Sequence, residues 1–124
     1  MINKIKNILL SHFKDSEAIY LFGSFANNTF NKNSDIDIAI LYKHPIPPLE
    51  LFNKQNELFM IFNKDIDLID LQNADLVFSY EIINHSIKLK TSKYSEDFEN
   101  RIWWNYLTFQ DDRKIIVEAF LNDR

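Results

Sequence analysis

Gly23-Ser24, ten further residues, then Asp35-Ile36-Asp37: this run constrains the chain more than any other. An apolar stretch, Ala18 to Phe22, leads into the Gly-Ser pair. A second apolar stretch, Ile36 to Leu41, carries the two aspartates at its start. The pattern predicts strand, turn, polar loop, strand. Carboxylates at i and i+2 of a strand project from one face. Held side by side they repel, and a divalent cation is the usual reason for such a pair to coexist. Mg²⁺ takes carboxylate oxygens and keeps its other positions for water and substrate phosphates. Gly23 allows a close backbone approach to a ligand. The amides of a helical turn starting at Ser24 can face a negative oxygen. Gly23 is also the only glycine in the chain, which argues against an incidental turn. A metal site beside a phosphate cradle reads as nucleotidyl transfer.

The rest of the sequence limits what can surround this core. A length of 124 residues predicts a single domain, 1–124, with one core. The composition, 46% hydrophobic and 26% charged, is that of a globular protein, and no apolar run reaches the length of a membrane span. The N-terminal residues alternate at helical spacing without an uninterrupted apolar stretch, so no secretory signal is expected. The absence of cysteine excludes disulfides and thiolate chemistry and fits the cytoplasm. The net charge of −4 disfavours a broad nucleic-acid grip, so a small substrate or a protein partner is expected instead.

Periodicity supplies the remaining elements. Ile2, Ile5, Ile8, Leu9 and Phe13 form a stripe that predicts a helix over 2–14. Residues 24–28 read as a short helical turn and 27–34 as a polar loop. Ile36 to Leu41 reads as a strand buried on both faces. Pro45, Pro47 and Pro48 mark a loop and a helix entry, with the helix over 49–62. A strand over 66–71, a helix over 74–83, a short extended piece over 87–90 and a long final helix over 96–121 follow. Ser95 is the expected N-cap of that helix. The fold class is therefore α/β (α+β): a small mixed sheet packed by helices, with a long C-terminal helix. Within Asp65-Ile66-Asp67-Leu68-Ile69-Asp70-Leu71, strand parity sets Asp65 and Asp67 on one face and Asp70 on the other. Asp65 and Asp70 read as solvated strand-end acids.

The segment G-S-x10-D-x-D resembles the hallmark of the minimal nucleotidyltransferases, the small end of the DNA polymerase beta superfamily. The wider pattern of that superfamily, an apolar residue, Gly-[Gly/Ser], a spacer, then D-h-[D/E]-h with h apolar, is met by Phe22-Gly23-Ser24 and Asp35-Ile36-Asp37-Ile38. The likeness extends over nearly the whole chain, with the Gly23 to Asp37 segment the most specific part. It implies a polymerase beta-like fold and a pair of Mg²⁺ ions held by Asp35 and Asp37. The run from Ile66 resembles the family's h-D-L-h-D-L strand, which places the third acid at Asp67, as metal ligand and as base toward the incoming hydroxyl. Gly23 and Ser24 would contact nucleotide phosphate. Family members commonly read G-S-F-A-R-G where this chain has Gly23-Ser24-Phe25-Ala26-Asn27-Asn28. Asn28 can take left-handed backbone angles. Asn27 removes a positive charge near the phosphates, which Lys32, Lys43 or a partner's basic residue would have to replace.

In size and layout the chain is similar to the MntA-type antitoxins of HEPN/MNT toxin–antitoxin systems. That resemblance implies an enzyme that transfers AMP from ATP to a tyrosine of a partner HEPN toxin, an RNase, and so neutralises it. It implies no direct contact with nucleic acid or membrane. Two other readings stay open: a non-catalytic antitoxin that masks its toxin, and a small-molecule nucleotidyltransferase. In the final helix, Phe98, Ile102, Tyr106, Phe109, Ile116 and Phe120 read as a core stripe, while Trp103, Trp104 and Leu107 broaden it toward a partner surface. His12, His44 and His85 lack metal-ligand spacing and read as surface residues, and residues 111–114 as a solvated, mixed-charge turn.

Overall fold

The structure, a computed structural model, describes residues 2–26 and 34–122, with side chains as far as Phe109. Its elements run α1 (Ile2–His12), β1 (Ala18–Phe22), a 3₁₀ turn (Gly23–Phe25), β2 (Ile36–Leu41), α2 (Pro48–Phe62), β3 (Ile66–Asp70), a second 3₁₀ turn (Leu71–Asn73), α3 (Leu76–Asn84), β4 (Ile87–Lys90) and α4 (Lys93–Asn122). The strands form one mixed sheet in the order β3-β2-β1-β4. β1 is antiparallel to β2 and to β4, and β2 is parallel to β3.

Alternation along the strands sorts the core into two layers. Ile19, Leu21, Ile36, Ile38, Ile40, Ile66 and Leu68 point to one face, where Ile5, Leu9 and Phe13 and then Leu58 of α2 cover them. Ala18, Tyr20, Ala39 and Leu41 point to the other, against Ile82 and Ile83 of α3 and Phe98 of α4. Strand β2 lies between two neighbours and is buried on both faces, as its unbroken apolar run predicts. Leu58 is fully buried and Leu51 and Phe62 are half-buried on the inner side of α2, whereas Phe52 and Phe59 on the same helix are exposed.

Several local expectations need correction. The final helix begins before Ser95. Ser92 precedes its first turn: Ser95 N–H donates to Ser92 Oγ (3.1 Å) and Ser92 N–H donates to Ser95 Oγ (2.8 Å). This reciprocal pair satisfies two backbone donors at once, as a capping box does. The third helix begins two residues later than its apolar pattern, because the Asp75 carboxylate caps it by accepting the Phe78 N–H at 2.8 Å. Asp70 is not solvated. It is buried at the end of β3 and accepts from Ile46 N–H (2.7 Å), Gln72 N–H (3.1 Å) and Asn73 Nδ2 (3.1 Å). One carboxylate thereby ties the β2–α2 connection to the turn after β3. Phe109 is 46% exposed and so leaves the predicted core stripe of α4; Ile116, Phe120 and residues 111–114 lie outside the described side chains.

Phe98 is buried, Ile102 packs against the second core layer, and Tyr106 stacks on Tyr80 of α3 at 3.7 Å between ring centroids. Tyr20 also ties α4 to the sheet. Its hydroxyl donates to Glu99 Oε2 at 2.9 Å, and Glu99 pairs with Lys88 of β4. Burial beside the Glu99 carboxylate pushes the Tyr20 phenol well above its usual range, so it stays a hydrogen-bond donor.

Candidate active site

The site forms where β1 ends and β2 and β3 begin. In the antiparallel register Phe22 lies opposite Asp37, and in the parallel register Asp37 lies beside Asp67. Parity puts Asp35 on the same side as Asp37. Three carboxylates from two neighbouring strands are thus brought to one end of the sheet. Asp35 and Asp67 are exposed and Asp37 is half-buried. Burial raises the Asp37 carboxyl above the usual carboxylate range, and the Asp67 and Asp35 charges, in that order, push it further.

Gly23 explains how Asp37 fits. It adopts φ +70°, in the left-handed region. A Cβ at Gly23 would stand 2.1 Å from Asp37 Oδ2, far inside any tolerable contact. The glycine therefore serves the carboxylate directly: it turns the chain sharply after β1 and leaves the space that Asp37 fills. The 3₁₀ turn over Gly23–Phe25 anchors itself through Phe25, fully buried below, and through Ala26 N–H donating to Gly23 O at 3.1 Å. Phe78 of α3 packs edge-on against Phe22, ring centroids 6.0 Å apart, and walls the same end of the sheet.

The donor set suits a divalent cation. All three side chains offer hard oxygen, and the raised Asp37 carboxyl marks a concentration of negative charge that a cation would neutralise. Among the described residues, no three carboxylate or imidazole groups close around a point tightly enough to cage an ion by themselves. Mg²⁺ does not demand such a cage, since it keeps several waters and takes substrate phosphate oxygens.

Other sequence candidates fall elsewhere. Asp70 turns to the opposite face, as parity predicts, and serves the fold. Asp65 precedes β3, is exposed, and its carbonyl accepts the Ile36 N–H at 2.9 Å. Asn27, Asn28 and Lys32 lie outside the described residues. Lys43 follows the far end of β2, about 20 Å along the chain direction from Asp37, where it pairs with Glu17 at 3.7 Å. It does not replace a charge lost at position 27. His12 is half-buried beside Glu57 (3.7 Å), while His44 and His85 are exposed. Sequence reasoning missed the contact between Gly23 and Asp37, although both residues were singled out, because only the register of β1 on β2 brings them together.

Residues 3–95 match the family model described as polymerase beta, nucleotidyltransferase. The chain belongs to the polymerase beta nucleotidyltransferase family. This nucleotidyltransferase is 30% identical over 117 residues to the protein adenylyltransferase MntA of Shewanella oneidensis, covering 94% of this chain and 84% of that one. It is also similar to solved structures. One is a chain of a toxin–antitoxin crystal structure with AMP-PNP, at TM-score 0.79 and 28% identity, covering 96% of this chain and 97% of that chain. Another comes from the tri-AMPylated Shewanella oneidensis HEPN toxin in complex with MNT antitoxin, at TM-score 0.72 and 25% identity, covering 96% and 94%. The mixed four-stranded sheet with its long final helix is the nucleotidyltransferase fold of these proteins. Among the described residues no helix is long and apolar enough to cross a membrane.

Proposed function

We propose that this nucleotidyltransferase is an antitoxin that moves AMP from ATP to a tyrosine hydroxyl of a partner HEPN toxin and so neutralises it. One observation carries the reading: Asp37 stands against Gly23 of the turn and beside Asp67 in the register, with Asp35 near enough to raise its carboxyl, so turn and acids lie at the same end of the sheet. The relatives point the same way, since they include a protein adenylyltransferase and an antitoxin in complex with an AMPylated toxin. Asp35, Asp37 and Asp67 would hold Mg²⁺, which when bound stabilises charge on the attacking and leaving oxygens. The Gly23–Ser24 turn receives nucleotide phosphate, its backbone free to approach because Gly23 has no side chain. The tyrosine oxygen bonds to the α-phosphorus as the bond to pyrophosphate breaks. Asp67, the more accessible of the two register-paired acids, takes the tyrosine proton.

The test is transfer of label from α-labelled ATP to the partner toxin in the presence of Mg²⁺. Asp35→Asn and Asp37→Asn are each expected to lower the rate by at least about a hundredfold with the circular dichroism spectrum preserved. An unchanged rate in either variant refutes the assignment.

A second reading has its own observation. Trp103 and Trp104 are 49% and 69% exposed on α4, with Leu107 and Phe109 also partly open. Such aromatics are typical anchors of a protein partner. A masking antitoxin would use this surface alone, and its neutralisation of the toxin would survive loss of the aspartates.

A further inference from the structure

Strand β3 lies at one border of the sheet, and among the described residues no strand pairs with its outer edge. Two clefts follow that edge. One, of about 420 Å³, is lined by Gln55, Asn56, Phe59, Asp65 and Ile66. The other, of about 380 Å³, runs past Leu68, Ile69 and Asp70 to Asp75 and Phe78. Between them, Gln55 Oε1 accepts the Leu68 backbone N–H at 3.1 Å. A side-chain amide oxygen thus stands where the carbonyl of an adjacent strand would stand. Asp65 and Asp75 give the two clefts exposed acidic groups, whereas Asp70, also in the lining, is buried and engaged by Ile46, Gln72 and Asn73. Asp67 is the second residue of the same strand, at the end where the candidate active site forms, and turns toward that site's face.

Resting on the proposed protein-adenylylating function, we infer that the outer edge of β3 docks the acceptor segment. The segment adds as a further strand, extended and basic, with its hydroxyl-bearing residue on Asp67's face. Strand addition provides main-chain hydrogen bonds for affinity and alternating pockets for specificity. The acidic lining favours a segment with lysine or arginine beside the acceptor. Directly opposed residues in a strand pair have Cβ atoms about 5 Å apart, and diagonal neighbours at about 7–8 Å remain within reach of an aromatic side chain. A tyrosine diagonal to Asp67 can therefore present its hydroxyl over the carboxylates. On the opposite face, alternate residues of the segment meet Leu51 and Phe59. Gln55 has to swing aside, its bond to Leu68 being replaced by a carbonyl of the segment.

The experiment uses the full chain with synthetic peptides that tile the partner toxin, each centred on one tyrosine, and reads amide hydrogen exchange by NMR. In Gln55→Ala the Leu68 amide loses its acceptor and exchanges faster. A bound acceptor peptide is expected to slow it again by at least about tenfold. In parallel, Asn56→Lys with Phe59→Lys, both on the exposed side of α2, should raise the KM for the partner by about tenfold at unchanged kcat. Fast Leu68 exchange under saturating peptide, or an unchanged KM in the lysine variant, overturns the edge assignment while leaving AMP transfer intact. If wild-type protein transfers no AMP, the adenylylation reading falls, and Leu68 protection still decides whether the edge receives a strand.

Discussion

Gly23 and Asp37 are sterically coupled. The backbone at φ +70° and the 2.1 Å approach to Asp37 Oδ2 make the position intolerant of any side chain. Gly23→Ala should cost about 1–2 kcal/mol from the backbone alone, and the displaced carboxylate should remove nearly all transfer activity. Denaturant unfolding and the label-transfer rate check the two parts separately. Asp37 itself carries a pH signature. Its carboxyl is raised in the folded state by burial and by Asp67 and Asp35. The associated stability is therefore fully present below the unfolded carboxylate value, about 3.9, and is lost as the pH rises through the folded value. Metal-free Asp37→Asn should accordingly melt higher than wild type at pH 7, with the difference closing as the pH falls toward about 3.5. Mg²⁺ should raise the Tm of wild type and leave that of the variant nearly unchanged. Calorimetry across pH, with and without Mg²⁺, measures both.

Among the elements, the strands were the most legible in sequence. β1 and β2 occupy the predicted residues because each is a short apolar run closed by polar or turn-forming residues, and β4 does so as a short alternating piece, Ile87-Lys88-Leu89-Lys90. Helix ends were less legible, since they depend on caps. Either Ser92 or Ser95 could start α4 by composition, and only the reciprocal hydrogen bonds select Ser92. Asp70 shows a different limit. Parity gave its face correctly but carried no information on its burial, which depends on the chain returning from β2 to place Ile46 N–H against it. Phe109 illustrates the same gap, because periodicity gives the angle of a side chain about a helix and not the length over which the sheet supports that helix. Asp70→Ala leaves buried donors unpaired and should destabilise the fold by about 3 kcal/mol, as read by urea unfolding. The three site acids lie on the other face, so kcat of the folded fraction should stay near that of wild type.

The whole molecule joins two features that sequence alone described separately: an acidic, turn-bound site at one end of the sheet and a long α4 with exposed tryptophans. The site was legible as a motif because its residues cluster in chain order around Gly23 and Asp35. The convergence of Asp67 on that motif required the parallel pairing of β2 and β3, which local pattern does not encode. The most direct measurement is the intact mass of the partner toxin after co-expression with this chain or with its Asp35→Asn variant, followed by peptide mapping. The expected result is a gain of one or more adenylyl groups on a tyrosine with the wild-type chain and none with the variant. An unmodified toxin that is nonetheless neutralised and held in a stable complex would contradict catalysis and leave the aromatic surface of α4 as the source of inhibition.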